Sequence, residues 1–169
     1  MRKYFIGCAF LSLIGPCSVM AQAIPDVEMT SQIGTDQLPS SLLQISETDT
    51  FSKYAFLVDK AKRILAVFER DGENIKKILE FPADIGKNDG PKMRRNDHKT
   101  PEGIYVLGEK LSQPEIPFDL YGNLAFTTNY PNYFDKLEEK TGSGIWLHAV
   151  PDSTPLSRGS RGCVVVRNS

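Results

Sequence analysis

Three short apolar runs follow one another near the middle of the chain: "YAFLV" at 54–58, "ILAVF" at 64–68 and "IKKILEF" at 75–81. "DKAKR" separates the first two, and "RDGEN" separates the second from the third. Runs this short, with an Asp-Gly turn between two of them, predict a β-meander rather than helices. Pro82 has no N–H to give a ladder and ends the third run. Beyond it, residues 84–103 read as a long polar loop with a turn cluster at Asn88-Asp89-Gly90-Pro91. Further short runs predict strands at 104–109, 124–131, 145–148 and 163–166, with Pro114 and Pro117 interrupting the stretch after the first. One helix is predicted over 132–140, capped by Asn132, with Lys140 near its negative end, before "TGSG" at 141–144 breaks it. No internal repeat is present. The pattern predicts a mainly β domain, a sandwich or curved sheet, with one small helix.

The N-terminus reads differently. Arg2 and Lys3 precede an apolar stretch from Tyr4 to Ile14, and Ala21-Gln22-Ala23 supplies small residues where a signal peptidase cuts. This order predicts a secretory signal peptide over residues 1–23, cleaved near Ala23 or alternatively Ala21. The apolar stretch is shorter than the roughly 20 residues a membrane span needs. Pro16 directly before Cys17 is a poor setting for lipidation. Residues 24–50 are polar, weakly patterned and predicted to be a linker, leaving one domain over 51–169. The chain has 20 basic and 21 acidic residues; without Arg2 and Lys3 the balance is 18 against 21, or −3. That is no footprint for nucleic acid. No later segment is apolar enough to cross a membrane. The expected location is therefore outside the cytoplasmic membrane, in the periplasm or cell envelope.

Cleavage would remove Cys8 and Cys17 and leave Cys163 as the one thiol. A lone cysteine in an exported chain cannot form an intrachain disulfide. It is either a small buried filler or a reactive thiol, and count alone leaves both open. A thiol becomes a strong nucleophile as thiolate, which a neighbouring histidine promotes. Of the two histidines, His98 sits among Arg94, Arg95, Asp97 and Lys99 and reads as part of a solvated loop. His148 ends the apolar run "GIWLH", where a sheet would hold its side chain at the rim. The loop "AVPDSTPLSRGSRG" can return to the next strand and bring Cys163 beside it, as a Cys–His pair requires. Gly162 permits a tight turn and leaves N–H groups free for an oxyanion. A metal site lacks support, because there is no C-x-x-C or H-x-x-x-H. "GSRG" lacks the lysine and the helix of a phosphate loop.

These residues resemble the L,D-transpeptidase catalytic domain family of bacterial cell-wall enzymes. "WLHA" supplies His148, and "SRGCVVVRN" supplies Ser160, Gly162, Cys163 and Asn168. "KTPEGIYVL" at 99–107 and "NYPNYFDKLEEKTGSGIWLHA" at 129–149 are similar to further family segments. The resemblance covers roughly residues 54–169. It implies a β-sandwich with one or two short helices, and peptidoglycan stem peptides as the partner, with no cofactor. Cys163 would attack the carbonyl of the L-centre of meso-diaminopimelate and expel D-alanine. His148 would be the base, oriented by the Ala149 carbonyl, with the N–H groups of Gly162 and Cys163 as oxyanion donors. An amine acceptor gives transpeptidation; water gives L,D-carboxypeptidase activity. A non-catalytic murein-binding domain is the alternative of a different class.

Departures from the family pattern shape the expectations. The motif's second His is Arg161, expected with Ser160 at the substrate, where its guanidinium would pair with a carboxylate. The Arg that often stands two residues after the Cys is Val165, and Ser160 comes only 12 residues after His148. Asn168-Ser169 looks like a helix N-cap. The resemblance implies that a helix and further strands follow there, so the domain as given is expected to be C-terminally incomplete.

Overall fold

The structure, a computed structural model, describes residues 52–168 apart from Glu73 and Arg158. The predicted signal segment 1–23 and the linker 24–50 lie outside the described residues. Strands β1 (Tyr54–Asp59), β2 (Ile64–Asp71) and β3 (Asn74–Pro82) form an antiparallel meander in that order. Two local devices make its first turn and one marks its second. Asp59 Oδ1 accepts from the N–H groups of Ala61 and Lys62, both at 2.9 Å. Arg63 takes a φ of 56°. Gly72 of the Asp-Gly pair takes φ 60°, a value at which glycine carries no Cβ penalty.

A second sheet holds β4 (Leu107–Ser112), β5 (Leu124–Thr128), β6 (Trp146–Val150) and β7 (Val164–Arg167), in that order. Its first three strands pair antiparallel, and β6 and β7 run parallel. Side chains alternate along each strand, so Leu65 and Val67 leave one face of the meander while Ala66 and Phe68 leave the other. Leu65, Val67 and Ala83 pack on Leu147, Val164 and Val166 of the second sheet. This contact joins the two sheets face to face and makes the domain a β-sandwich. Burying one such aliphatic side chain stabilises the fold by about 1.5–3 kcal/mol.

Two short helices complete the described fold: α1 (Phe118–Tyr121) and α2 (Tyr133–Leu137). Asn132 caps α2 as expected and does so reciprocally. Its Oδ1 accepts from the Asp135 N–H, and Asp135 Oδ2 accepts from the Asn132 N–H, both at 3.0 Å. The helix ends earlier than the 132–140 expectation. Lys140 lies beyond it and folds back to pair with Asp135 at 3.1 Å. α1 has no counterpart among the predicted elements.

Two further segments depart from expectation. The apolar residues Ile104 and Val106 were expected in a strand, yet they are exposed and β4 begins only at Leu107. Asparagines occupy their backbone: Val106 N–H donates to Asn129 Oδ1, and Asn132 Nδ2 donates to the Ile104 carbonyl. The polar loop 84–103 is not simply solvated. Asp84, Ile85, Lys92 and Thr100 are buried, and Asp84 bridges to Val165 while Gly86 bridges to Ser160. His98 is only half-exposed, with a φ of 54° and its carbonyl accepting from Asn88 N–H. Asn168 is the last described residue, and its Oδ1 accepts from the Asn123 N–H at 2.9 Å. No helix among the described residues is long and apolar enough to cross a membrane.

Candidate active site

The parallel ladder places the expected pair. Leu147 is matched with Val164 and His148 with Val165. One step earlier, Cys163 falls opposite Trp146. Matched residues of a parallel pair point to the same face, and faces alternate along each strand. Leu147, Val164 and Val166 face the core. Trp146, His148, Cys163 and Val165 therefore share the opposite face, with Cys163 and His148 on neighbouring strands one diagonal apart.

His148 is buried, at 8% exposure. Its Nδ1 lies 2.7 Å from the carbonyl oxygen of Ala149. A carbonyl can only accept, so Nδ1 carries the hydrogen and Nε2 keeps its lone pair. Burial pushes the imidazole below its usual range, and the Ala149 hydrogen bond recovers part of that. Cys163 is half-buried. Burial pushes its thiol up, while the Trp146 N–H and the Lys92 ammonium pull it partly back. Both groups are thus held toward their neutral forms. The thiol's hydrogen bond goes to the Gly144 carbonyl, at 3.5 Å, and not to the imidazole.

The turn before Cys163 is tied down from inside and from outside. Ser160 Oγ donates to the Cys163 carbonyl at 2.7 Å and accepts from the Gly162 N–H at 3.0 Å. The Gly162 N–H, expected at an oxyanion, here donates to Ser160, and the Ser160 hydroxyl, expected at the substrate, here closes the turn. Gly162 has φ 127°, and a Cβ there would lie 2.6 Å from the Lys99 carbonyl oxygen. Only glycine lets the backbone pass so close to the 98–100 segment. Arg161 is exposed and makes no ion pair with the described residues.

Asp84 ties the same turn from its other side. Its backbone pairs with Val165 in both directions, at 2.8 and 2.9 Å. Its carboxylate accepts from the Gly159 N–H at 3.1 Å and pairs with Arg63. Gly86 packs against His98 and Thr100, and Lys87 N–H donates to the Ser160 carbonyl at 3.1 Å. Behind the site, Lys92 is 3% exposed and pairs with Asp97 Oδ1 at 2.7 Å. Its stem supports Gly142, and Met93 accepts the Thr141 N–H at 3.0 Å, which anchors the segment leading to Gly144.

Asp84, Lys92 and Tyr121 of α1 are the site-shaping residues that sequence reasoning missed. Lys92 and Asp97 lie within "PKMRRNDHK", where nothing separates a buried pair from solvated charges. Tyr121 lies in "PFDLYGN", whose Pro and Gly do mark the two ends of a single helical turn. No group of three or more His, Cys, Asp or Glu side chains converges among the described residues.

Comparison with known proteins follows the same outline. The family profile YkuD, L,D-transpeptidase catalytic domain, matches residues 53–169. Among solved structures, Bd1075 of Bdellovibrio bacteriovorus is 73% identical with a TM-score of 0.65, covering 78% of this chain and 46% of its own. The helical cell shape determining protein Pgp2 of Campylobacter jejuni is 37% identical with a TM-score of 0.60, covering 68% of this chain and 40% of its own. The chain thus spans less than half the length of either protein. No curated protein sequence matches. On the domain-wide profile match and the likeness to both structures, this chain belongs to the YkuD family of L,D-transpeptidase catalytic domains.

Proposed function

We propose that the domain is an exported cysteine acyltransferase acting on peptidoglycan tetrapeptide stems, with Cys163 as nucleophile and His148 as base. The observation that carries this reading is the shared face of β6 and β7, with the Ala149 carbonyl fixing the proton on Nδ1. Nε2 is then the free acceptor for the thiol proton. Sulfur attacks the carbonyl of the L-centre of meso-diaminopimelate as that proton passes to Nε2. The carbon–nitrogen bond to D-alanine breaks, its nitrogen takes the proton from His148, and a thioester remains. An amine acceptor, deprotonated by His148, then forms the new amide and releases the thiol. Because both groups rest neutral, substrate binding rather than a standing ion pair starts the transfer.

A second reading has water as the acceptor, which yields tripeptide stems and makes the enzyme an L,D-carboxypeptidase. Arg161 in place of the motif's second His favours it. Arg161 is exposed and can offer its guanidinium to a stem carboxylate in either reading.

Incubation of the purified protein with disaccharide-tetrapeptide, followed by mass analysis, tests the proposal. Cross-linked dimer with loss of D-alanine is the expected product of transpeptidation; tripeptide without dimer establishes the trimming reaction. Neither product, with a Cys163 alkylation rate indifferent to His148→Ala, leaves the murein-binding alternative and rules out the acyltransferase.

A further inference from the structure

α1 is one turn long, yet it is fastened to the strands that carry the site. Gly122, just after it, has φ 60° and donates its N–H to the Phe118 carbonyl at 2.7 Å. A Cβ there would lie 2.5 Å from Asn168 Oδ1 and 2.8 Å from Ala149 Cβ, so the backbone of α1 sits directly on β6. Asn168 ties both ends together. Its side chain accepts from Asn123 N–H at 2.9 Å, and its own N–H donates to the Val150 carbonyl at 3.1 Å. Tyr121 is the last residue of that turn. Its ring centroid lies 5.0 Å from that of His148, at an interplanar angle of 70°. It also lies 5.2 Å from the Trp146 ring, at 48°.

We propose that Tyr121 is a positioning residue for His148: its ring fixes the imidazole plane and keeps water from it, and Asn168 holds Tyr121 in that place. This rests on the reading of His148 as the base. The Ala149 carbonyl holds the imidazole at one atom, Nδ1, and a single hydrogen bond leaves the plane free to tilt. An edge-on aromatic neighbour supplies the second constraint. Together they aim Nε2 in one direction.

The same ring contributes to the burial that keeps His148 neutral. The groups facing His148 are few. α1 brings the Tyr121 ring, β7 brings the Cys163 thiol and Val165, and β5 brings Ala125 as the register partner. Asp84, beyond Val165, is paired with Arg63. Burial, and no nearby charge, sets the downward displacement of the imidazole. Removing the ring would admit water and return His148 toward its ordinary value of about 6.5.

The test follows His148 by proton NMR titration and Cys163 by iodoacetamide alkylation, on the purified protein and its variants. The chain has two histidines, so the His148 resonance is identified by its loss in His148→Ala. Tyr121→Phe keeps the ring and should match the parent in both measurements. Tyr121→Ala should shift the His148 titration upward and slow alkylation at neutral pH about tenfold, the loss of one aromatic pair. Asn168→Ala touches neither group and should move the titration the same way by a smaller amount. If Tyr121→Ala does not fold, Tyr121→Leu takes its place, with slower alkylation expected. A His148 titration and alkylation rate unchanged in the Tyr121 variant overturn the inference, and leave the acyltransferase reading untouched. Conversely, alkylation indifferent to His148→Ala together with no product from disaccharide-tetrapeptide sinks that reading, and the NMR titration still decides whether Tyr121 shields the ring.

Discussion

Replacing Lys92 with methionine should unfold the domain earlier and dull its thiol at once. Lys92 is 3% exposed, and its Nζ donates to Asp97 Oδ1 at 2.7 Å and to the Arg94 carbonyl at 3.1 Å. Methionine fills the space but leaves Asp97 without its cation. Breaking a buried pair this way costs about 3–5 kcal/mol. Asp97 keeps the N–H groups of Met93, Arg94 and Lys99 at 2.8, 2.9 and 3.2 Å, so the cost belongs at the low end, about 3 kcal/mol. With a urea slope of about 1.5 kcal/mol per M, the midpoint should fall by roughly 2 M. Asp97→Ala strands the ammonium with one carbonyl and should cost more, and the double variant should cost less than the two singles summed. A midpoint drop below about 0.5 M for Lys92→Met would refute the reasoning.

The pH dependence supplies a second arm. Burial pushes the Asp97 carboxyl up, but the Lys92 hydrogen bond and the N–H groups of Arg94, Met93 and Lys99 outweigh it, holding it well below the usual carboxylate range. The unfolded chain therefore takes up this proton first, near pH 3.9. The stability Asp97 contributes is complete above that value and is lost as pH falls through the lower folded one. Lys92→Met should flatten this acid loss. It should also slow Cys163 alkylation at a given pH, because the ammonium is one of the two groups that pull the thiol down.

Other outcomes can be measured on the same protein. Gly162→Ala puts a Cβ 2.6 Å from a backbone oxygen at a φ of 127°. It should cost about 1–3 kcal/mol in urea unfolding and roughly a hundredfold in kcat/KM, as Cys163 is displaced; parent-like values in both would contradict the close approach. Asp84→Ala frees Gly159 and leaves Arg63 unpaired, so it should lower stability by about 3 kcal/mol; an unchanged melting curve would show that the strap is idle. The acid limb of kcat/KM should lie below the ordinary histidine value of about 6.5, because His148 is held neutral in the fold. By the same sign, stability should rise with pH between that lowered value and 6.5, and an acid limb above pH 7 would contradict it. Arg161→Ala should raise KM with kcat little changed; no change in either removes it from the substrate.

The meander and the Cys–His strands were legible because their signals are local: apolar runs of strand length, an Asp-Gly turn, and a histidine and a cysteine at run ends. The supports of the site were not. Ile104 and Val106 carry a strand's composition, but asparagines more than twenty residues away take their backbone groups. The buried Lys92–Asp97 pair looks like surface charge until the 141–144 segment packs over it. Gly162 was expected to free its N–H, and the Ser160 hydroxyl two residues earlier claims it instead. In each case the deciding partner is a side chain answering a backbone group, which apolar periodicity does not record.

The parallel pairing of β6 and β7 separates what must stay fixed from what can vary. Their ladder sets the offset between Cys163 and His148, and the chain joining the strands does not. That chain is pinned near its beginning, where Arg167 donates to the Asp152 and Thr154 carbonyls, and near its end, where Asp84 holds Gly159. The stretch between those pins can be lengthened or exchanged without moving Cys163 or His148 on their strands. The fold thus treats the crossover as a replaceable part: its length and sequence can change while the two strands beneath keep their register.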